Sequence, residues 1–594
     1  MLALFVALQS VQAWFAASFR KDAYLDPKLY VEDFAPNPTT GGRVHFLLPF
    51  LDNATSSTWP FNLLLNGEAA TLDYPTLRLP ADVDWARVEA DAGARLVWVA
   101  LHSRAEAFMA GLGQLEVRDA SGATVAAAAV RVPSPHAVTL TYVATQKAFR
   151  ELVVHLQNAD AIPHVVTQLH ADGQEALGAP LTLAAGEHQV LVVSLPSPKR
   201  EGQLWTVRAI VDGADLAWGG VHIKELFPFE NWPKDDQCPF PASNRTNFDT
   251  LAALGIDCSF LRKKECGVSS LVVVEQAAAN GYTVLPDEAH TLQEPNYFKP
   301  EHYPAIAALF ISDEGDKSWS DTARLLNESL RRRRNYPELA TYMGGHVNKY
   351  TGTFAGITDI MGMDYYVAQC APHVTGALSP MRIQGTFDYL RVTRENHKPL
   401  PVWGYSQSSC ADCWTLKDGL NEGEQTSALA SVFAAGNKGL MLFMGDVRRA
   451  DVPGWRAGAA LLRSFRAVRE ALRVGDVMDS ALTMDSDGVE QSVAVAIQSP
   501  TGIVIIVINM NADTYSDITC AAHVGAHWIF HPHTVQRISI SLPAGFRLKD
   551  VTEFVDGNDQ AGTVHYSVAG SALVLTEVEL GTANTTRVFW AARE

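Results

Sequence analysis

Between Phe227 and Arg473 the chain switches eight times from a short apolar run to an amphipathic one. That rhythm limits its fold more than any other feature. The apolar runs are FPFENWP, IDCSFL, YTVLPDE, IAALFISDEGD, ATYMGGHV, DIMGMDYYV, PVWGYSQ and KGLMLFMGD. They are rich in β-branched and aromatic residues and end in polar ones, the pattern of buried strands. Between them lie segments with helical spacing, among them NRTNFDTLAALG, SLVVVEQAAANG, SDTARLLNESLRRRRN, FDYLRVTRENH, EGEQTSALASVFAAGN and AGAALLRSFRAVREAL. In SDTARLLNESLRRRRN, Ser320 is placed to cap the helix and Arg331 to Arg334 to complement its dipole. Strands alternating with helices pair in parallel, because each helix returns the chain to the same end of the sheet. Eight units in this span match a (β/α)8 barrel, which takes about 250 residues. The rival is an open doubly wound sheet, which rarely needs eight regular units.

The flanks read differently. From about Leu25 to Glu225, alternating segments such as RVHFLLPF, ARLVWVAL, RELVVHLQ, HQVLVVSL and LWTVRAIV are separated by Gly, Pro, Asn and Asp turns. Pro133-Ser134-Pro135 divides them into two β-sandwiches. After Val474, SVAVAIQS and GIVIIVINM form a hairpin across Pro500-Thr501-Gly502, and RISISLP, VHYSVAG and ALVLTEVEL follow. The expected architecture is a central (β/α)8 barrel over 226–475, β-sandwiches over 14–133 and 134–225, and a C-terminal β-sandwich over 476–594. A chain of 594 residues needs several cores in any case.

Composition narrows the class of partner. Lys and Arg number 47 and Asp and Glu 65, a net charge of −18. That charge repels phosphate backbones and anionic lipid, so neither nucleic acid nor a membrane surface is expected as a partner. A neutral carbohydrate suits such a surface. The opening MLALFVALQSVQAWFAAS carries an apolar run ending at Val11-Gln12-Ala13, which fits a signal peptide over 1–13 and a secreted or lumenal, including lysosomal, protein. A buried N-terminal strand is the other reading. No later run reaches the ~18 apolar residues of a membrane span. Sequons at Asn53, Asn244, Asn327 and Asn584 acquire meaning only if the chain is secreted. Of seven cysteines, Cys258 with Cys266 and Cys410 with Cys413 are candidate loop staples. A zinc site needs two close pairs brought together, and these are far apart in sequence.

In a barrel of this kind, chemistry sits where the strands end at the C-terminal face. The first strand ends in Glu230-Asn231-Trp232, the third in Asp287-Glu288, the fourth in Ser312-Asp313-Glu314-Gly315-Asp316 and the fifth in His346. The sixth ends in Asp364-Tyr365-Tyr366, the seventh in Tyr405-Ser406-Gln407 and the eighth in Asp446. Carboxylates there supply acid, base or nucleophile across a glycosidic bond, aromatic faces stack on sugar rings, and amides hold hydroxyls.

The strand-four ending ISDEGD resembles the Asp-Glu endings of the glycoside hydrolase superfamily of (β/α)8 barrels, and DIMGMDYYV resembles its sixth strand. PVWGYSQ and NKGLMLFMG are similar to its last two units. The likeness covers about residues 226–475 and selects no single family. It implies that Glu314 is the general acid, with Asp364 and Asp313 as further catalytic carboxylates. Trp232, Asp287, Asp316, His346, Tyr365, Tyr405, Gln407 and Asp446 are the implied substrate-binding residues. No metal or cofactor is implied. Retaining members of the large clan carry a nucleophilic Glu at the end of strand seven, where this chain has Gln407. An inverting reaction with Asp364 or Asp446 as base, assistance of an acetamido substrate by Asp364 and Tyr365, or a barrel that binds sugar without chemistry all remain open.

Other residues have plainer readings. Asp313 serves equally well to orient loop backbone. One of Tyr365 and Tyr366 is expected to pack behind the sheet. Trp403 is expected to alternate away from Tyr405 and join the core. Glu422 and Glu424 open a helix, where negative charge is favourable. Pro532 excludes a helix presenting His527 and His531 on one face, so with His523 and His533 they read as scattered histidines rather than a metal site. The two leading readings are thus a hydrolase of O-glycosidic bonds and a glycosidase-like binding protein. A cell-surface protein whose sandwiches carry adhesion is the third.

Overall fold

The structure is a computed structural model. It describes residues 138–171, 174–195, 204–222, 225–233, 251–262, 269–287, 297–315, 338–345, 358–364, 383–398, 400–407, 420–445, 453–478, 481–485, 492–513, 528–555 and 564–594. It also describes positions 325, 328, 329, 332, 335 and 336, and, before residue 131, seven strands with the turn at 121–123. The expected leader, the Pro133-Ser134-Pro135 break, the sequons at Asn53, Asn244 and Asn327, and Cys266, Cys410 and Cys413 lie outside the described residues.

Each of the eight apolar runs contains a strand. These are β1 (Phe229–Pro233), β2 (Cys258–Arg262), β3 (Thr283–Asp287), β4 (Leu309–Ser312), β5 (Thr341–Gly345), β6 (Ile360–Met363), β7 (Val402–Gln407) and β8 (Leu440–Gly445). They form one sheet in the order β3-β2-β1-β8-β7-β6-β5-β4, and every neighbouring pair is parallel. The two ends of that order meet. Val284 of β3 bridges Ile306 in parallel, and the Ala307 N–H donates to the Val284 carbonyl at 2.8 Å.

Both faces of this sheet are buried, which is why its strands read as continuous apolar runs rather than alternating ones. One face carries Phe260, Leu285, Phe310, Tyr342, Trp403, Tyr405 and Met441. There Phe260 meets Phe310 edge-on at 4.6 Å, and Tyr342 stacks on Trp403 at 5.1 Å. The other face meets helices α1 (Ser270–Ala279), α2 (Ile383–His397), α3 (Glu422–Ala434) and α4 (Pro453–Ala467), with α5 (Arg469–Val474) after them. Ser269 caps α1. Asn421 and Glu424 form a reciprocal capping box at α3, with bonds of 2.9 and 2.8 Å.

The remaining described structure is almost wholly antiparallel. The strands before residue 131 form a three-stranded and a four-stranded sheet. Residues 138–222 form two sheets whose facing residues, among them Leu140, Val154, Val166, Leu169 and Val207, share one core. The C-terminal segment makes a five-stranded and a four-stranded sheet around Ile503, Ile505, Ile538 and Leu575, with a two-stranded ladder of 512–513 against 529–530 beside them. Its strand Gly502–Asn509 is buried at every position, because Val504, Ile506 and Ile508 pack on the helices while Ile503, Ile505 and Val507 face the second sheet. Glu424 also accepts the Trp528 N–H at 2.6 Å, tying the start of α3 to that segment.

The 138–222 sheets dock where α2 and α5 end. Tyr142 donates to the Arg473 carbonyl at 3.1 Å, Arg473 to the Thr145 carbonyl at 2.7 Å, and Arg394 to the Thr141 carbonyl at 3.0 Å. Arg394 and Lys438 both approach Asp476, at 3.1 and 3.9 Å. Helices that return the chain to the start of each strand end beside the strand N-termini, so this junction lies opposite the strand C-terminal ends.

Candidate functional site at the strand C-terminal ends

Strand alternation decides which residues line the enclosed face. In β7 these are Trp403, Tyr405 and Gln407, and in β5 Tyr342 and Gly344. In β6 they are Ile360 and Gly362, with Asp364 one step beyond its end. This corrects the expectation for Trp403. Residues two apart share a face, so Trp403 and Tyr405 lie on the same side, although Trp403 does belong to the core.

Two glycines make room for phenols. A Cβ on Gly362 would fall 1.8 Å from the Tyr342 hydroxyl, and one on Gly344 would fall 3.2 Å from the Tyr405 hydroxyl. Around the same point at Gly344 stand the Asp313 Oδ1 and the Glu314 amide nitrogen, both at 3.7 Å. Burial, then the nearby Tyr342, Asp313 and Asp364, hold the Tyr405 hydroxyl well above the usual phenol range. It therefore stays protonated, a neutral phenol beside two carboxylates.

Asp364 is buried, and its N–H donates to the Gly345 carbonyl at 2.7 Å, pinning the end of β6 to the end of β5. Asp313 is exposed and Glu314 half-buried. Glu314 has φ of +44°, a left-handed conformation that costs a side-chain-bearing residue about 1–3 kcal/mol. The next residue is packed tightly. Gly315 is buried so close to Met343 that a Cβ there would fall 2.7 Å from its sulfur.

Of the residues named from sequence, the structure brings Asp313, Asp364 and Tyr405 together and sets the Glu314 backbone at the same point. Gln407 is buried on the same stripe, and its carbonyl accepts from the Gln425 amide at 2.9 Å. Trp232 and Asp287 stand at the C-terminal ends of β1 and β3, with side chains outside the described set. Asp316, His346, Tyr365 and Asp446 lie outside the described residues. Tyr342 was missed, although TYMGG carries its signal: an aromatic two residues before a glycine on the inward stripe of a buried strand. Glu424 is absorbed by its cap. Glu422 lines a separate cavity of about 250 Å³ with Thr426, Glu553 and Asn584. Among the described residues no group of three His, Cys, Asp or Glu is placed to hold a metal ion, and no helix is long and apolar enough to cross a membrane. Cys258 is buried among the residues of the enclosed face, and His531 pairs with Asp513 at 2.9 Å on the surface.

No family model and no curated protein matches the chain. Solved structures that align with it include a cycloisomaltooligosaccharide glucanotransferase of Paenibacillus sp. complexed with cycloisomaltoheptaose. That alignment has 10% identity, covers 77% of this chain and 99% of that one, and has a TM-score of 0.38. A putative β-galactosidase of Bacteroides fragilis aligns at 10% identity over 93% and 90% of the two chains, with a TM-score of 0.29. A β-glucuronidase of Ruminococcus gnavus aligns at 11% identity over 72% and 89%, with a TM-score of 0.27. TM-scores this low carry neither fold nor activity from those proteins to this one.

Proposed function

We propose that the chain is a glycoside hydrolase acting on an extracellular or lysosomal polysaccharide or glycan. In this reading the parallel sheet is a (β/α)8 barrel over 226–475, flanked by β-sandwiches over 14–133, 134–225 and 476–594. The protein is made with a leader over 1–13 and works outside the cell or in an endomembrane lumen. Glu314 is the general acid, and Asp364 or Asp313 is the second carboxylate.

The observation that supports it is the convergence at Gly344. A protonated phenol, a carboxylate and the strained Glu314 backbone meet where β4, β5 and β7 end. Hydrolysis of a glycosidic bond needs one carboxyl group to give a proton and another to act on the opposite side of the ring. Strained backbone at such a place fits a side chain held for chemistry rather than for stability.

One observation favours a second reading. Gln407 occupies the seventh-strand position and cannot ionise, so the barrel would bind sugar without cleaving it. Release of reducing sugar from a glycan panel, together with binding to that panel, separates the two. Turnover lost in Glu314→Gln and Asp364→Asn supports the hydrolase. Binding without turnover, unchanged in both variants, overturns it in favour of the binder. Neither binding nor turnover removes both.

A further inference from the structure

We propose that Asn584 carries an N-linked glycan whose first sugar lies over the cavity where α3 and α4 meet the C-terminal segment. The proposal rests on the extracellular or lumenal part of the reading above and on nothing in the strand-end site.

Of the four sequons, Asn584-Thr585-Thr586 is the one within the described residues. It lies at the turn between strands Ala572–Leu580 and Thr586–Arg593, where the Gly581 N–H donates to the Asn584 carbonyl at 3.0 Å. Asn584 is exposed, while Thr585 and Thr586 are buried. The Thr585 hydroxyl meets those of Thr426 and Ser427 at 2.7 Å, and Thr586 donates to the Thr426 carbonyl at 3.4 Å. The two threonines thus pin the turn to α3 and leave the asparagine at the surface.

Asn584 also lines the cavity of about 250 Å³ that Glu422 shares. Leu461 of α4 and Phe554 and Val588 of the C-terminal strands give that cavity an apolar wall. Val555 lines it too and is 39% exposed, a large apolar side chain open to solvent. The volume is below the roughly 300–1,000 Å³ of a drug-sized site, so it takes one ring rather than an oligosaccharide. A sugar ring matches both kinds of wall. Its C–H face packs on Phe554 and Val555, and its hydroxyls donate to the exposed Glu422 carboxylate. Attachment through Asn584 makes the contact intramolecular, so a weak contact is enough to seat the ring.

The donor is a lipid diphosphate-linked oligosaccharide, used by the transferase of the secretory pathway. The Asn584 Nδ2 loses one proton and bonds to the sugar C1, while the C1–O bond to the diphosphate breaks and the diphosphate leaves with its electron pair. The acceptor pattern includes the second threonine. Thr586 is buried once the turn docks, so transfer precedes that docking and the glycan then closes over the seam.

The test is to make the full chain in a eukaryotic secretory host, once with its own leader and once with a foreign one, beside Asn584→Gln. Peptide mass mapping after enzymatic deglycosylation, which leaves Asp where a glycan stood, is expected to find Asn584 modified. A crystal structure of the glycosylated protein is expected to show the first sugar against Phe554 and Val555. Asn584→Gln is expected to melt about 2–4 °C below the glycosylated wild type, the effect of one lost packing contact in a domain of this size. The same two proteins made in bacteria, without glycan, are expected to melt together. Asn584 unmodified in chains that the foreign leader brings into the lumen would overturn the proposal. So would a first sugar directed into solvent, or a variant that melts lower in the bacterial pair as well. Modification under the foreign leader alone supports the site and removes instead the reading of residues 1–13 as a leader.

Discussion

Two histidines buried on paired strands of the 138–222 sheets, His155 and His188, make acid the perturbation that tests this structure hardest. The Val474 carbonyl can only accept, so the His155 Nε2, 2.6 Å away, carries its proton. The His155 Nδ1 is then an acceptor, and the His188 Nε2 donates to it across 3.2 Å. A second proton on His155 would set two N–H groups against each other. Arg394, Lys438 and Lys398 oppose further positive charge here, while Asp476 and, for His155, the bond to the Val474 carbonyl favour it. Burial is the largest cause, and it lowers His155 to about 4 and His188 to about 3. The folded state thus binds fewer protons than the unfolded chain wherever the pH lies between these values and the ordinary 6.5. Stability is full above that window, falls as pH falls through it, and levels off below the folded values. Each histidine contributes about 3 kcal/mol of loss by pH ~4.5, and the shared hydrogen bond couples the two, so about 3–5 kcal/mol is expected in all.

The assay is urea unfolding of the wild type and of His155→Gln/His188→Gln, followed by tryptophan fluorescence at pH ~7.5 and ~4.5. With a urea dependence of roughly 1–3 kcal/mol per molar, the wild-type midpoint should drop by on the order of 1–5 M more than that of the double variant. Carboxylate titration elsewhere is common to both proteins and cancels. Equal drops in the two would refute the reasoning, because they would mean that the histidines titrate as they do in water.

Three further outcomes are expected. Glu314→Gln should lose about 10²–10⁴-fold in turnover while its melting temperature stays within a degree or two, read by a glycoside assay beside calorimetry. Gly362→Ala should destabilise by about 1–3 kcal/mol in thermal melts, because the new methyl group and the Tyr342 hydroxyl claim the same space. Arg394→Met should cost about 3–5 kcal/mol in chemical denaturation, since it leaves the Asp476 carboxylate buried with Lys438 as its remaining close cation.

The eight strands were legible because burial on both faces writes itself as unbroken apolar runs, and strand ends write themselves as sudden acid or amide. GIVIIVIN is the extreme case, an eight-residue strand with no exposed position. The docking junction was not legible. Tyr142 and Arg473 are 331 residues apart and His155 and Val474 are 319 apart, and each polar residue looks, in its own segment, like an ordinary interruption of a strand or helix. Nor could the chain announce that Glu424 holds both its own helix cap and the Trp528 amide, because the second contact spans 104 residues.

The parity of β7 carries the site one step further than residue type could. Trp403, Tyr405 and Gln407 share one face, so the change from indole to phenol to carboxamide is a gradient along one wall, from dry core to strand end. β5 and β6 run the same gradient with Tyr342 then Gly344, and Gly362 then Asp364. Gly362 sits where the phenol of the adjacent β5 reaches across, and Gly344 where the phenol of β7 reaches past β6, so the hydroxyls are placed by backbone rather than by flexible side chains. Such placement suits a group whose orientation matters, and the charged members are set at the end of the gradient farthest from the buried histidines. A junction that loses stability in acid and a carboxylate site at the opposite end of the same strands are therefore separable. Substituting His155 should change the pH at which the protein survives without changing the pH at which the site works.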